Sequence, residues 1–129
     1  MTDISRWPAG GPGRSRTVRH GDTVYTVANA RQPAAPFADQ VTQSLDMLEA
    51  HLREAGSSRS RLLSIQVLLA DIADRPAFDR HWIEWIGADP DHWPQRACYQ
   101  AALAPGLLIE LIAVAAVDGA AGRMRRRWL

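Results

Sequence analysis

Residues 107–117 read Leu-Leu-Ile-Glu-Leu-Ile-Ala-Val-Ala-Ala-Val, apolar at odd and even positions alike apart from Glu110. A strand of that kind has no solvent face, so it belongs in the interior of a sheet. Ahead of it stands the turn pair Pro105-Gly106, and ahead of that a second β-prone run, 93–100, containing Pro94-Gln95-Arg96-Ala97-Cys98. The pattern predicts two strands joined by a Pro-Gly turn. Ionised side chains are seldom buried without a partner or a task. Arg96 and Glu110 are therefore the first candidates for function.

The rest of the chain supplies what such strands need to pack against. Residues 16–20 and 23–28 flank Gly21-Asp22 and predict a hairpin. Phe37, Val41, Leu45, Leu48, Leu52 and Ala55 form one stripe of a helix that Gly56 stops. Gln40, Gln43, Asp46, Glu49 and Arg53 fall largely on its other side, and His51 is read as surface. Residues 62–70 predict a central strand. Asp74 opens a second helix, with Pro76 in its first turn and Phe78, Trp82 and Trp85 as its buried stripe. The order of hairpin, helix, strand, helix, strand, strand implies an α+β fold, one sheet with both helices on one face. The opposite face would then lie bare, and oligomerisation is the simplest cover for it.

Around this domain, 14–117, the Gly/Pro-rich residues 1–13 read as a flexible arm and 118–129 as an Arg-rich tail. A chain of 129 residues is long enough for one real core. A formal net charge of +1 makes no general case for nucleic acid, and the chain has no lysine, which excludes a P-loop, a lysine Schiff base or a Ser-Lys dyad. One cysteine and four scattered histidines without ligand spacing predict no metal site. No apolar run reaches membrane length, and the start lacks the order of a secretory signal, so the expectation is a cytoplasmic protein.

In order and spacing these pieces resemble the Rid family, the YjgF-type reactive-intermediate deaminases. The resemblance is carried by Gly21-Asp22-Thr23-Val24-Tyr25-Thr26, by Gln40 through Gly56, and by 62–70 followed by Asp71-Ile72-Ala73-Asp74. Most specific are Pro94-Gln95-Arg96-Ala97-Cys98 and Pro105-Gly106 with 107–115. It implies a chorismate-mutase-like fold, a homotrimer with ligand sites in clefts between subunits, and hydrolysis of small imines and enamines such as 2-aminoacrylate to keto acids and ammonia, with no cofactor. By the same resemblance Arg96 holds the substrate carboxylate and Glu110 positions the attacking water. Cys98 lines the cleft, and Tyr25, Ala28 and Asn29 contribute to its wall. Four positions depart from the family pattern. Arg14 stands where many members have tyrosine, Val27-Ala28 replaces a Ser-Gly pair, and Asp79 replaces a common asparagine.

Each role has a plainer alternative. Arg96 suits a carboxylate because its guanidinium forks bidentately, yet it could equally close a structural salt bridge, Glu110 included. Glu110, between Ile109 and Leu111, could exchange a proton with water, only orient it, or face solvent. Cys98 is a small buried hydrophobe by default, although Arg96 two residues away on the same strand face could favour its thiolate. Tyr25, Trp93 and Tyr99 serve a cleft wall or a core equally well. At the level of function, the alternative to a deaminase is a non-catalytic trimer that binds a keto acid or amino-acid-like ligand and regulates a partner. An RNA-binding or RNA-cutting reading would rest on the tail from Arg123 to Leu129.

Overall fold

The apolar run becomes β6 (Ile109–Ala116), held between two other strands in the computed structural model, which describes residues 3–119. Its neighbours are β3 (Thr23–Asn29) and β4 (Leu62–Leu69), both antiparallel to it. Ile109, Leu111, Ala113 and Ala115 are buried on one face, and Glu110, Ile112, Val114 and Ala116 alternate onto the other. β2 (Ser15–His20) closes the predicted hairpin with β3 around Gly21, whose φ of 61° the turn requires.

The two strands flanking Pro105-Gly106 form where expected, but they are not neighbours. β5 (Gln95–Gln100) pairs parallel with β4, on the side away from β6. A strand that follows β4 through a helix returns parallel to it, so β4, α2 (Arg75–Ile86) and β5 make a βαβ unit. The 101–108 loop then crosses the end of β4, turning where Leu107 N–H donates to Ala104 O at 3.0 Å.

A second correction concerns the N-terminal arm. Residues Ile4–Pro8 form β1, antiparallel to β2 from Ile4↔His20 to Pro8↔Ser15. The glycines read as a sign of flexibility serve as the hairpin loop, Gly10 and Gly13 both taking positive φ. The full sheet order is β1-β2-β3-β6-β4-β5. The Arg-rich tail lies beyond the described residues apart from its first positions.

Both helices cover one face. α1 (Phe37–Glu54) buries Val41, Leu45, Leu48 and Leu52, and α2 buries Phe78, Trp82 and Ile86, with Trp85 partly covered. These meet Val24, Ile65, Val67, Leu69 and the inward side chains of β6 in one core. Burial of such side chains contributes roughly 1.5–3 kcal/mol each. Gln40, read as outward, is instead fully buried. Its amide donates to Ala35 O at 3.0 Å and Gly106 O at 2.9 Å, and accepts from Leu108 N–H at 2.9 Å. This one side chain pins the β5–β6 loop to the start of α1. Neither helix packs on the other sheet face, where Tyr25 is 50% exposed and Val27 also stands out.

Candidate functional site

A cleft opens where the β2–β3 ladder ends. The two strands pair from His20↔Thr23 to Thr17↔Thr26 and then part, while β3 stays on β6 as far as Asn29↔Glu110. Ser15 and Arg16 therefore lean away from Val27 and Asn29, leaving a gap that reaches down to α1. The cleft measures about 560 Å³ and is lined by Arg14, Ser15 and Arg16 on one side and Val27, Asn29 and Glu110 on the other. Met47 and His51 of α1 contribute to the lining, as do Ala104 and Leu107 of the pinned loop. That volume suits a small metabolite.

Glu110 sits directly across from Asn29 in the ladder, and Asn29 Nδ2 donates to its Oε1 at 3.5 Å, a long bond that nonetheless orients the carboxylate. On the other wall Arg16 donates to Glu54 Oε2 at 2.6 Å, and that hydrogen bond holds the Glu54 carboxyl below its ordinary range. Arg14 keeps only a weak 3.5 Å bond to Pro12 O and faces the cleft without a carboxylate partner among the described residues.

His51 corrects the surface reading. It is 8% exposed, because position 51 lies one turn beyond Leu48 within the apolar stripe. Its Nδ1 stands 3.1 Å from both Val27 O and Thr26 Oγ1. Thr26 in turn donates to Arg16 O at 3.2 Å and meets the Thr17 hydroxyl at 2.7 Å, so a polar network ties off the ladder beneath the cleft. Burial first, and the neighbouring Arg16 charge second, push the imidazole pKa below its usual value. The stripe spacing was the one available signal for this residue.

Arg96 lies elsewhere. In register Arg96 stands opposite Ile65, and Glu110 opposite Leu68. Positions 65 and 68 differ by an odd number, so within one chain Arg96 and Glu110 point to opposite faces of the sheet. The guanidinium rests on the helix side, 5.5 Å from the Phe78 ring centre and 5.8 Å from that of Trp82. Its Nη2 is 2.7 Å from Asp79 Oδ1, a contact at ion-pair distance but out of line for a hydrogen bond. The salt bridge foreseen as an alternative thus exists, with Asp79 rather than Glu110.

Cys98 shares that face and packs half-buried against the core. Burial raises its pKa and outweighs the opposing Arg96 charge, so the thiolate suggested by the Arg96 spacing is disfavoured. Asn29 lines the cleft, as do Arg14 and Val27 among the positions that depart from the family pattern. Ala28, 1% exposed, turns its side chain into the core, and Tyr25 borders a shallower groove with Ile112 and Val114. No group of side chains with metal-ligand geometry occurs among the described residues. No described helix is long and apolar enough to cross a membrane.

Residues 14–117 match the family described as endoribonuclease L-PSP. The RutC family protein YoaB of Escherichia coli is 33% identical over 104 residues, covering 80% of this chain and 90% of that protein. A RutC family protein of Haemophilus ducreyi is 34% identical over 80 residues, 61% of this chain and 67% of its own length. Among solved structures, an uncharacterized protein from Pseudomonas aeruginosa is similar with a TM-score of 0.80 and 32% identity, over 90% of this chain and all of that one. A YjgF family member from Neisseria meningitidis reaches a TM-score of 0.83 at 25% identity, over 92% and 98% of the two chains.

Proposed function

This chain belongs to the YjgF/RutC family, described as endoribonuclease L-PSP, and we propose that it hydrolyses small imines and enamines bearing an adjacent carboxylate. The products would be a keto acid and ammonia. The observation that carries the reading is Glu110, a carboxylate held by Asn29 at a cleft large enough for a three- or four-carbon substrate.

In this reading Glu110 accepts a hydrogen bond from water and aims its oxygen at the C=N carbon. Holding the planar substrate and that water in line accounts for most of what the reaction needs, since such imines already hydrolyse in solution. The carboxylate clamp is Arg96 of a second copy. β5 is one of the two edge strands, so its free side can bring Arg96 and Cys98 against a neighbour's cleft. A homotrimer built this way also covers the bare sheet face. Asp79 takes one nitrogen of the fork and leaves the remaining N–H groups for a ligand. The unpaired thiol Cys98 suits a cytoplasmic setting.

The test generates 2-aminoacrylate in situ and follows keto-acid release. Wild type should accelerate it, and Glu110→Gln should lose about 10²-fold in rate, the usual reach of acid–base and water-orienting groups, while still binding pyruvate. Pyruvate binding with no acceleration by wild type would sink the deaminase and leave a non-catalytic binder of keto acids.

A further inference from the structure

The cleft holds a second group that the family reading does not use, and its hydrogen bonds decide what it can do. Val27 O can only accept, so the His51 Nδ1 that stands 3.1 Å from it carries the ring proton. The Thr26 hydroxyl sends its own hydrogen to Arg16 O and is likewise an acceptor toward the ring. In the neutral imidazole this leaves the lone pair on Nε2. Nε2 makes no hydrogen bond to the described residues, yet it is not among the buried polar atoms left without a partner. It therefore reaches solvent, and His51 lines the cleft.

We propose that His51 is a proton-transfer residue of this cleft, working through Nε2 opposite the water held by Glu110. The inference rests on reading the cleft as the imine site. Water oxygen bonds to the carbon of the protonated imine, the C=N π pair moves onto nitrogen, and the proton that water sheds goes to Nε2. The imidazolium then returns that proton to the amine nitrogen. The C–N bond breaks, ammonia leaves, and the remaining hydroxyl gives its proton to solvent as the keto C=O forms. The charged groups around the ring keep it ready to accept. Burial and then Arg16 on β2 oppose its protonation most, with Arg31 in the loop after β3 adding less, while the Val27 O hydrogen bond and Glu54 on its own helix favour it. Arg14 and Glu110 line the same cleft.

The experiment compares wild type with His51→Gln, whose amide keeps a polar group near the Nε2 position but cannot take up a proton, across pH 5 to 8 on 2-iminopropionate made in situ by an amino-acid oxidase. Wild-type kcat/KM should hold through pH 6.5 and fall below it as the ring protonates. Folded His51→Gln should be about 10²-fold slower and lack that acid limb, with pyruvate affinity unchanged. Wild-type rate and limb in a folded His51→Gln overturn the proposal while leaving the deaminase standing. A wild type without imine hydrolysis removes both. Should His51→Gln not fold, ring-nitrogen NMR of wild type decides: pyruvate must shift the Nε2 resonance, and an unmoved signal overturns the assignment.

Discussion

Replacing Asp79 by asparagine tests whether Arg96 is an anion clamp at all. Asp79 Oδ1 stands 2.7 Å from the guanidinium, which also rests on the Phe78 and Trp82 rings and so has a second support when the acid is replaced. The variant therefore removes a competing negative charge more than a support. The side chains of Arg96 and Asp79 are 18% and 34% exposed, so solvent screens the pair and its worth belongs near the top of the surface range, about 1 kcal/mol. A ligand carboxylate that must share the fork with Asp79 gains back about that amount when the acid is gone, which is roughly a fivefold lower Kd. Calorimetric titration with pyruvate should show this tightening at low salt and less of it at 0.5 M salt. Arg96→Gln should abolish it. An Asp79→Asn protein that binds pyruvate no more tightly, together with an Arg96→Gln protein that binds as wild type does, would refute the reasoning and make Arg96 a purely structural cation.

Gln40→Leu leaves Leu108 N–H and Ala35 O, both partly buried, without this partner, which should cost about 2 kcal/mol in urea unfolding at fixed protein concentration; a loss under about 0.5 kcal/mol would mean the loop is pinned some other way. His51 has a folded pKa below its unfolded value, so the unfolded chain takes up its proton first. Stability should accordingly decline as pH falls from 6.5 through the lowered folded pKa, and this slope should shrink in His51→Gln. Val114, opposite Tyr25 on the bare sheet face, tests the assembly: wild type should sediment as a trimer and Val114→Arg as a smaller species, and a wild-type monomer at micromolar concentration would end the trimer reading.

Much of this architecture is legible in residue patterns because the relevant physics is local. Alternation in residues 109–116 and the stripe through Val41, Leu45, Leu48 and Leu52 state which side chains need burial, and Gly21 and Gly56 mark turns that need positive φ. The same patterns place Arg96 and Cys98 on one face of their strand and Glu110 opposite to Ile109 on its own. Gln40 and His51 are buried against the pattern for one reason. Polar side chains within or beside an apolar stripe are buried when partners wait there, and those partners, Gly106, Leu108, Val27 and Thr26, come from distant parts of the chain.

What the chain determined by itself is each strand's two faces, each helix's buried side and the presence of one cation and one acid in two β-prone runs. Tertiary structure alone decided that β4 stands between β5 and β6, and with it the phase of one strand against the other. That phase puts Arg96 beside Asp79 and Glu110 beside Asn29 on opposite faces. Alternation is a property of one strand, whereas the relation between two strands is set by hydrogen-bond register through a third, which no local pattern encodes.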